Sequence, residues 1–288
     1  MRDNPIFQRD LKNAEPLTPE ELAATEKKLG FTYRQAIGEM IYGLVTCRPD
    51  ISFAITKLSQ YSARPALIHF EAIKQVYKYI EATIDRGIIF WRKSPNMSLP
   101  FHQDPTPDID ANYDQSASAE RIQNQPTNLF GAVDSDYAGD NTHRKSVSGI
   151  IIKIAGGTVL YKTQYQPTIA LSTTEAEFTA ASEAGKYILY VRSILHEIGL
   201  TQDNATVLFE DNQGALLMAN AQRPTKRTRH MDVKHFVIQQ WIAQDLLTMK
   251  RISTNDNFSD VMTKATGKTL FYRHFDYIQG YVKPDYAP

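Results

Sequence analysis

Short apolar runs and amphipathic stretches alternate through the second half of the chain, and this order restricts the fold more than any other feature. The strand-like runs are NLFGAV, SVSGIIIKIAG, TVLYKTQ, ATVLFED and LLTMKRIS. The second and third flank Gly156 and Gly157, a pair typical of a two-residue hairpin turn. A helical pattern covers about 173–199. Further helical patterns lie between the fourth and fifth runs and after the fifth run. Three strands followed by alternating helices and strands predict an α/β fold, a mixed five-stranded sheet flanked by helices.

The first 93 residues have the pattern of a small helical unit. Thr18 is a candidate N-cap, Pro19 suits the first helical position, and Gly30 is a candidate helix stop. The clearest amphipathic helix, ALIHFEAIKQVYKYIEATIDRG, is expected to end at Gly87, and the IIFW that follows predicts a short strand.

A change of composition divides the chain. Residues 94–127 are rich in Pro, Asn, Gln, Asp and Ser, which indicates a flexible linker or insertion. We therefore expect a helical unit at 1–93 and a strand-containing domain at 128–279.

The overall composition limits the classes of function. Lys+Arg and Asp+Glu balance at 32 each, so any nucleic-acid contact must use a local patch. The single cysteine, Cys47, excludes a disulfide framework and a cysteine-based zinc site. The start of the chain does not resemble a signal peptide, and no apolar run is long enough to span a bilayer. We expect a soluble, intracellular protein.

Four acidic residues occupy positions from which their side chains can meet. Asp134 and Asp211 end strand-like runs, and Glu177 and Asp260 lie in the first turns of helices. Carboxylates that converge on one sheet edge repel each other, and burying them unpaired is costly. A divalent cation removes both costs, and oxygen ligands suit Mg²⁺ or Mn²⁺.

Two of these acids also have a purely local explanation. Asp211 could cap the helix that follows it. Asp260 could simply favour the helix dipole, with Ser259 or Asn257 as the cap.

The stretch STTEAEF contains two glutamates that local physics separates. Ser172 and Glu175 have capping-box spacing, which gives Glu175 a structural role. Glu177 lies on a small apolar stripe that should face the sheet, with Ala181, Ala184 and Ile188. A glutamate there is either a metal ligand or an edge residue whose carboxylate reaches water.

The stretch RPTKRTRHMDVKH is strongly basic and contains Arg227 and Arg229. It is either a solvated charged loop or a patch that contacts phosphates. Its two histidines, His230 and His235, are expected to be structural, because the chain lacks a second pair at zinc-ligand spacing.

Six motifs in this order resemble the ribonuclease H domain of Ty1/copia-type retrotransposon polyproteins. They are DSDYAGD, RKSVSGIIIKIAGG, ALSTTEAEFTAASEA, EDNQGALLMAN, KRTRHMDVKHFVIQQW and ISTNDNFSDVMTK. The first block, with YRQAIGEMIYGLVTCRPDISFAITKLSQYSARP and HFEAIKQVYKYI, is similar to the thumb-like segment after the reverse-transcriptase palm of the same polyproteins.

The resemblance implies a ribonuclease H-like fold and two-metal hydrolysis of the RNA strand of RNA–DNA hybrids, with two Mg²⁺ or Mn²⁺ ions. The implied catalytic and metal-binding acids are Asp134, Glu177, Asp211 and Asp260. Strand alternation alone does not separate Asp134 from Asp136, and the resemblance selects Asp134. Asp136 and Asp140 are left as turn or supporting acids.

The resemblance also implies how the hybrid is bound. Asn212 and Gln213 are expected near its minor groove, where 2′-hydroxyl contacts distinguish RNA from DNA, and Arg227 and Arg229 are the candidate phosphate contacts. The implied partners are the hybrid and the missing polymerase domains of the parent polyprotein. The expected location is the cytoplasm, a retroelement particle or the nucleus.

The chain departs from the polyprotein pattern: the Tyr-x-Asp-Asp stretch of the polymerase does not occur, and the linker at 94–127 is longer than the pattern usually needs. We expect no DNA synthesis by this chain alone, which looks like a polyprotein fragment or a decayed element. Two alternatives to an active ribonuclease H are an inactive nucleic-acid-binding remnant and another ribonuclease H-like nuclease, such as a transposase or integrase.

Overall fold

The computed structural model describes residues 10–90, 129–139, 144–220 and 232–281. The chain divides into two compact units, one of 1–87 with 264–271 and one of 88–263 with 272–288. The predicted linker at 94–127 and the domain boundaries beside it lie outside the described residues, so that division stays a prediction. None of the described helices is both long and apolar enough to cross a membrane.

The first unit is helical, as predicted. Its helices are α1 (Pro19–Leu29), α2 (Tyr33–Thr46), α3 (Ser52–Ser59) and α4 (Leu67–Ala82), with a 3₁₀ turn at Pro49–Ile51. Thr18 caps α1 in a reciprocal capping box with Glu21, and Gly30 ends it with a φ of 77°. Both ends of α1 are therefore fixed by local sequence.

The end of α4 differs from the prediction. The helix stops at Ala82 and not at Gly87. The Thr83 hydroxyl donates to the Tyr79 carbonyl at 2.6 Å, and Arg48 donates to the Thr83 carbonyl at 3.2 Å. These side chains take the acceptors that another helical turn would use.

The strand predicted at IIFW does not form at residues 88–90, the part of that stretch that the structure describes, so the prediction is wrong there. Residues 88–90 are irregular. Ile89 donates one backbone hydrogen bond to the Gln279 carbonyl, at 2.8 Å. A single bond of this kind does not form a ladder.

A buried ion pair joins the helices of the first unit. The Arg48 guanidinium donates to both carboxylate oxygens of Asp50, the shortest distance being 2.8 Å. The Tyr79 hydroxyl donates to the same carboxylate at 2.7 Å. The Asp50 side chain is fully buried and that of Arg48 is 7% exposed. If one partner of the ion pair is removed, water therefore cannot take its place beside the other charge.

The second unit contains the sheet. Its strands are β1 (Phe130–Asp136), β2 (Val147–Ile154), β3 (Gly157–Tyr165), β4 (Thr206–Glu210) and β5 (Leu247–Arg251). Their order is β3-β2-β1-β4-β5. The first three strands pair antiparallel, and β4 pairs parallel with both β1 and β5. This order confirms the predicted mixed five-stranded sheet.

Helices flank the sheet, as the fold-class prediction requires. They are α5 (Thr173–Glu197), α6 (Gln213–Asn220), α7 (Asp232–Ala243), α8 (Asp260–Thr263) and, from residue 272 on, α9 (Lys268–Gln279). Val133 and Ile150 share a hydrophobic core with α5. Gly149 instead faces Met262 of α8. Since neighbouring strand residues point to opposite faces, α5 and α8 cover opposite faces of the sheet.

The turn between β2 and β3 lies one residue earlier than predicted. Ala155 and Gly156 form it, with φ values of 52° and 75°. Gly157 instead pairs with Ile154 as the first residue of β3. A Cβ atom on Gly157 would lie 2.5 Å from the Ile89 carbonyl oxygen, so this glycine allows a close approach of backbone.

We expect Asp50→Ala to destabilise the first unit by about 3–5 kcal/mol, because it leaves the Arg48 charge buried without its carboxylate. Urea unfolding followed by far-UV circular dichroism measures this loss. Glu183→Ala is the control, since it breaks an exposed pair with Lys186 and should cost less than about 1 kcal/mol. Equal losses from the two variants would contradict the assigned importance of the buried pair.

Candidate metal centre

The end of β1 presents Asp134 at a buried position. Its backbone lies opposite Gly149 of β2, and the residue is 1% exposed. The Thr263 hydroxyl donates a hydrogen bond to Asp134 Oδ2. Asp136, two residues on, ends the strand with its carboxylate against Gly139, where the chain turns.

The start of α5 places Glu177 against the sheet. Ser172 caps the helix by accepting from the Glu175 backbone N–H at 3.2 Å, as predicted. The Glu175 carboxylate accepts from Leu171 at 2.7 Å, where a capping box would use Ser172. Glu177 is 7% exposed, so its side chain lies largely out of water, which argues against the alternative of an edge glutamate. The stripe predicted beside it, Ala181, Ala184 and Ile188, is fully buried in the core.

The end of β4 supplies Asp211, which is half-buried. The Asn212 side chain accepts from the Ala215 backbone N–H at 3.0 Å and so caps α6. Asp211 is therefore not the cap, and its local explanation no longer applies. Gln213 is the first residue of α6 and is exposed.

Among the described residues, the structure brings three of the four predicted acids together. One carboxylate oxygen from each of Asp134, Glu177 and Asp211 lies within 4.8 Å of the other two. Asp134 and Glu177 are almost wholly buried, so water screens little of the repulsion between their two carboxylates. Hard oxygen donors at this spacing fit a Mg²⁺ or Mn²⁺ ion.

Asp260 is not one of the three, although its helix lies against the same strand. It opens α8 and is 7% exposed. Asn257, one of the two proposed caps, accepts from the Ser259 backbone N–H at 3.2 Å. The Asn257 amide also donates to the Val133 carbonyl of β1 at 3.0 Å. The position of Asp260 beside β1 thus depends on Asn257, and its role as a fourth ligand stays a prediction.

Glu210 adds a further acid to this corner. It is fully buried, and its carboxylate accepts from the Asn212 backbone N–H at 3.0 Å. Burial raises the pKa of Glu210 well above the usual range, the Asn212 hydrogen bond opposes this rise, and the charges of Asp211 and Asp134 add to it.

Three residues that support the acids were not singled out from the sequence. Gly149 leaves room for α8, because a Cβ atom there would lie 2.8 Å from Met262 and Thr263. The buried Gln166 amide donates to Ser148 of β2 at 2.9 Å and to the Ala176 carbonyl of α5 at 2.8 Å. A single glycine inside an apolar strand is typical of a close approach by another element, so the sequence could have indicated Gly149. Nothing in the sequence pattern indicates the contacts of Gln166 or Thr263.

Several predicted residues lie outside the described part of the chain. They are Asp140, Arg227, Arg229 and His230. His235 belongs to α7, but its side chain is likewise not described. The basic patch therefore stays a prediction.

The sequence is similar to parts of much longer proteins. It is 30% identical over 256 residues to the "Retrovirus-related Pol polyprotein from transposon TNT 1-94" of Nicotiana tabacum. The matched region covers 89% of this chain and 17% of that relative. It is 26% identical over 239 residues to the corresponding polyprotein from transposon RE2 of Arabidopsis thaliana, covering 83% and 14%. The chain thus spans about a sixth of the length of these relatives.

A shorter relative is "Secreted RxLR effector protein 161" of Plasmopara viticola, which is 32% identical over 152 residues. This match covers 53% of the chain and 85% of the relative. No model of a protein family matches the chain.

The solved structures that overlap the chain include ribonucleases H. The match with LC11-RNase H1 from compost covers 47% of this chain and 92% of that enzyme's chain, with 14% identity and a TM-score of 0.37. The same enzyme in complex with an RNA/DNA hybrid has a TM-score of 0.33 and 13% identity, and covers 45% and 88%. At these TM-scores the superposition by itself assigns no activity.

We expect Gly149→Ala to destabilise the second unit by about 1–3 kcal/mol, because the added methyl group overlaps α8. Trp241 packs against the core of this unit, so unfolding followed by tryptophan fluorescence reports on it. Gly38→Ala is the control, since that helical glycine in the first unit has open space at its Cβ position. A midpoint for Gly149→Ala equal to that of Gly38→Ala would contradict the tight packing of α8.

Proposed function

We propose, from the similarity of this chain over most of its length to copia-type retrotransposon Pol polyproteins, that its sheet-containing unit is a ribonuclease H. The reaction is hydrolysis of the RNA strand of an RNA–DNA hybrid with two Mg²⁺ or Mn²⁺ ions. The observation that carries the proposal is the cluster of Asp134, Glu177 and Asp211, whose oxygens lie within 4.8 Å of one another.

The charge of the cluster supports a metal-dependent reaction. Three carboxylates in a largely buried corner repel each other, and a divalent cation between them relieves that repulsion. In the proposal Asp134, Glu177 and Asp211 would hold the ions, and Asp260 would complete one of the two sites. When bound, the ions supply a deprotonated water and stabilise the leaving 3′ oxygen.

The residues of the chain hold and select the substrate in this proposal. Gln213 is exposed and directly follows the capping Asn212, so its amide can reach a nucleic acid that lies over Asp211. An amide can both donate to and accept from a 2′-hydroxyl, the group that distinguishes RNA from DNA. Arg227 and Arg229 are proposed to contact phosphates along the hybrid.

The rest of the chain is proposed to serve the same reaction. Residues 1–93 form the thumb-like segment of the reverse transcriptase, 94–127 link it to the nuclease, and 128–279 form the ribonuclease H domain. The polymerase domains of the parent polyprotein are the proposed partners, in the cytoplasm, a retroelement particle or the nucleus. DNA synthesis is not expected from this chain alone, because it lacks the Tyr-x-Asp-Asp stretch.

We predict that the purified 288-residue chain cuts the RNA strand of a hybrid when Mg²⁺ or Mn²⁺ is present and stops when EDTA removes the metal. Asp211→Asn should lower the cleavage rate at least about a hundredfold, the order of effect for removing one preorganised electrostatic group. A hybrid labelled on the RNA strand, with single-stranded RNA and duplex DNA in parallel, measures both results.

Glu175→Gln is the matched control for the acidic cluster. Its carboxylate bonds to the Leu171 backbone and is not part of the cluster, so this variant should lose about 1 kcal/mol of stability or less and keep its cleavage. Hybrid binding without cleavage in the wild type would indicate an inactive remnant. Cleavage that is unaffected by Asp211→Asn would contradict the assigned site.

A further inference from the structure

The Asp134 carboxylate has a rotational freedom that a metal site must remove. The terminal torsion of an aspartate side chain is broad, so burial alone does not fix the plane of its carboxylate. The Thr263 hydroxyl donates to one of its two oxygens, Oδ2. This bond restrains the carboxylate plane of Asp134.

The position of Thr263 is itself held by several contacts. Thr263 is fully buried in α8, the four-residue helix that Asp260 opens. The Thr163 hydroxyl of β3 donates to the Met262 carbonyl at 2.9 Å, one residue before Thr263. Asn257 binds the Val133 carbonyl at 3.0 Å, one residue before Asp134. The absence of a side chain at Gly149 lets this turn lie directly on the sheet.

Thr263 also lies between two of the candidate metal-binding acids. Its Oγ1 atom is 3.1 Å from the Asp260 backbone carbonyl as well as within hydrogen-bond reach of Asp134. A hydroxyl has one proton to donate, and an ionised carboxylate is the stronger acceptor of the two. The geometry therefore favours donation from the Thr263 hydroxyl to Asp134. The Thr263 Oγ1 atom remains in contact with the helical turn that begins at Asp260.

We propose that Thr263 is a positioning residue, whose hydroxyl orients the Asp134 carboxylate for binding a divalent cation. The inference rests on the proposed metal site and adds to it a residue that is itself not a ligand. Hydrogen-bond partners of metal ligands typically change metal affinity by about 10–100-fold when they are removed.

The experiment measures Mn²⁺ binding to the full chain by titration calorimetry, without any substrate. Thr263→Val keeps the shape of the side chain but lacks the hydroxyl, and it should bind Mn²⁺ about tenfold or more weakly. Thr263→Ser restores the hydroxyl and should recover the affinity to within about threefold. Thr263→Ala is a second hydroxyl-free variant that replaces Thr263→Val if the latter does not fold.

Thr163→Val separates orientation of Asp134 from attachment of α8. It removes a hydroxyl that holds the same helical turn but donates to the Met262 carbonyl and not to an acid. Its thermal midpoint in EDTA should fall, whereas its Mn²⁺ affinity should fall less than that of Thr263→Val, because Asn257 and the close packing at Gly149 still hold this turn against the sheet. A loss of Mn²⁺ affinity as large as that of Thr263→Val would overturn the proposal.

Failure of this inference can be told apart from failure of the proposed function. A wild type that binds Mn²⁺, together with a Thr263→Val variant of equal affinity, overturns the role of Thr263 and leaves the metal site standing. Weak binding by Thr263→Ser despite its hydroxyl also overturns it. A wild type that binds no Mn²⁺ overturns the metal site and the role of Thr263 together.

Discussion

Electrostatic repulsion among three carboxylates in a corner with little water is the constraint on which the rest of the second unit depends. Asp134 and Glu177 are almost fully buried, and Asp211 lies within 4.8 Å of both. Bringing such charges together is unfavourable without a counter-ion, and a chain selected only for stability would not be expected to do so. The fold must therefore contribute free energy elsewhere to hold the cluster.

That free energy comes from the elements that converge on the end of β1. Parallel pairing of β1 with β4 brings the two strand ends together, and the buried apolar stripe of α5 fixes the depth at which Glu177 lies. On the opposite face, α8 is attached through Asn257 and Thr263.

The sequence predicted those parts of the structure that depend on local periodicity. The five strands of the sheet and the α5 stripe follow from spacing, whereas the burial of Glu177 was one of two alternatives that spacing left open. Asp211 was ambiguous because two neighbouring residues can both cap a helix, and only the Asn212 contact separates them. The hairpin turn was misplaced by one residue because Ala155 adopts a positive φ that the sequence pattern assigns to glycine. The Thr263–Asp134 contact joins residues 129 positions apart, a separation at which no local pattern operates.

The most direct measurement of the central claim is a crystal structure of the chain grown with Mn²⁺, in which anomalous scattering locates the ions. The metal-centre account predicts Mn²⁺ at about 2.1 Å from carboxylate oxygens of Asp134, Glu177 and Asp211, with a second ion about 4 Å from the first when a hybrid is bound. Three well-ordered carboxylates without an anomalous peak among them, at saturating Mn²⁺, would contradict it.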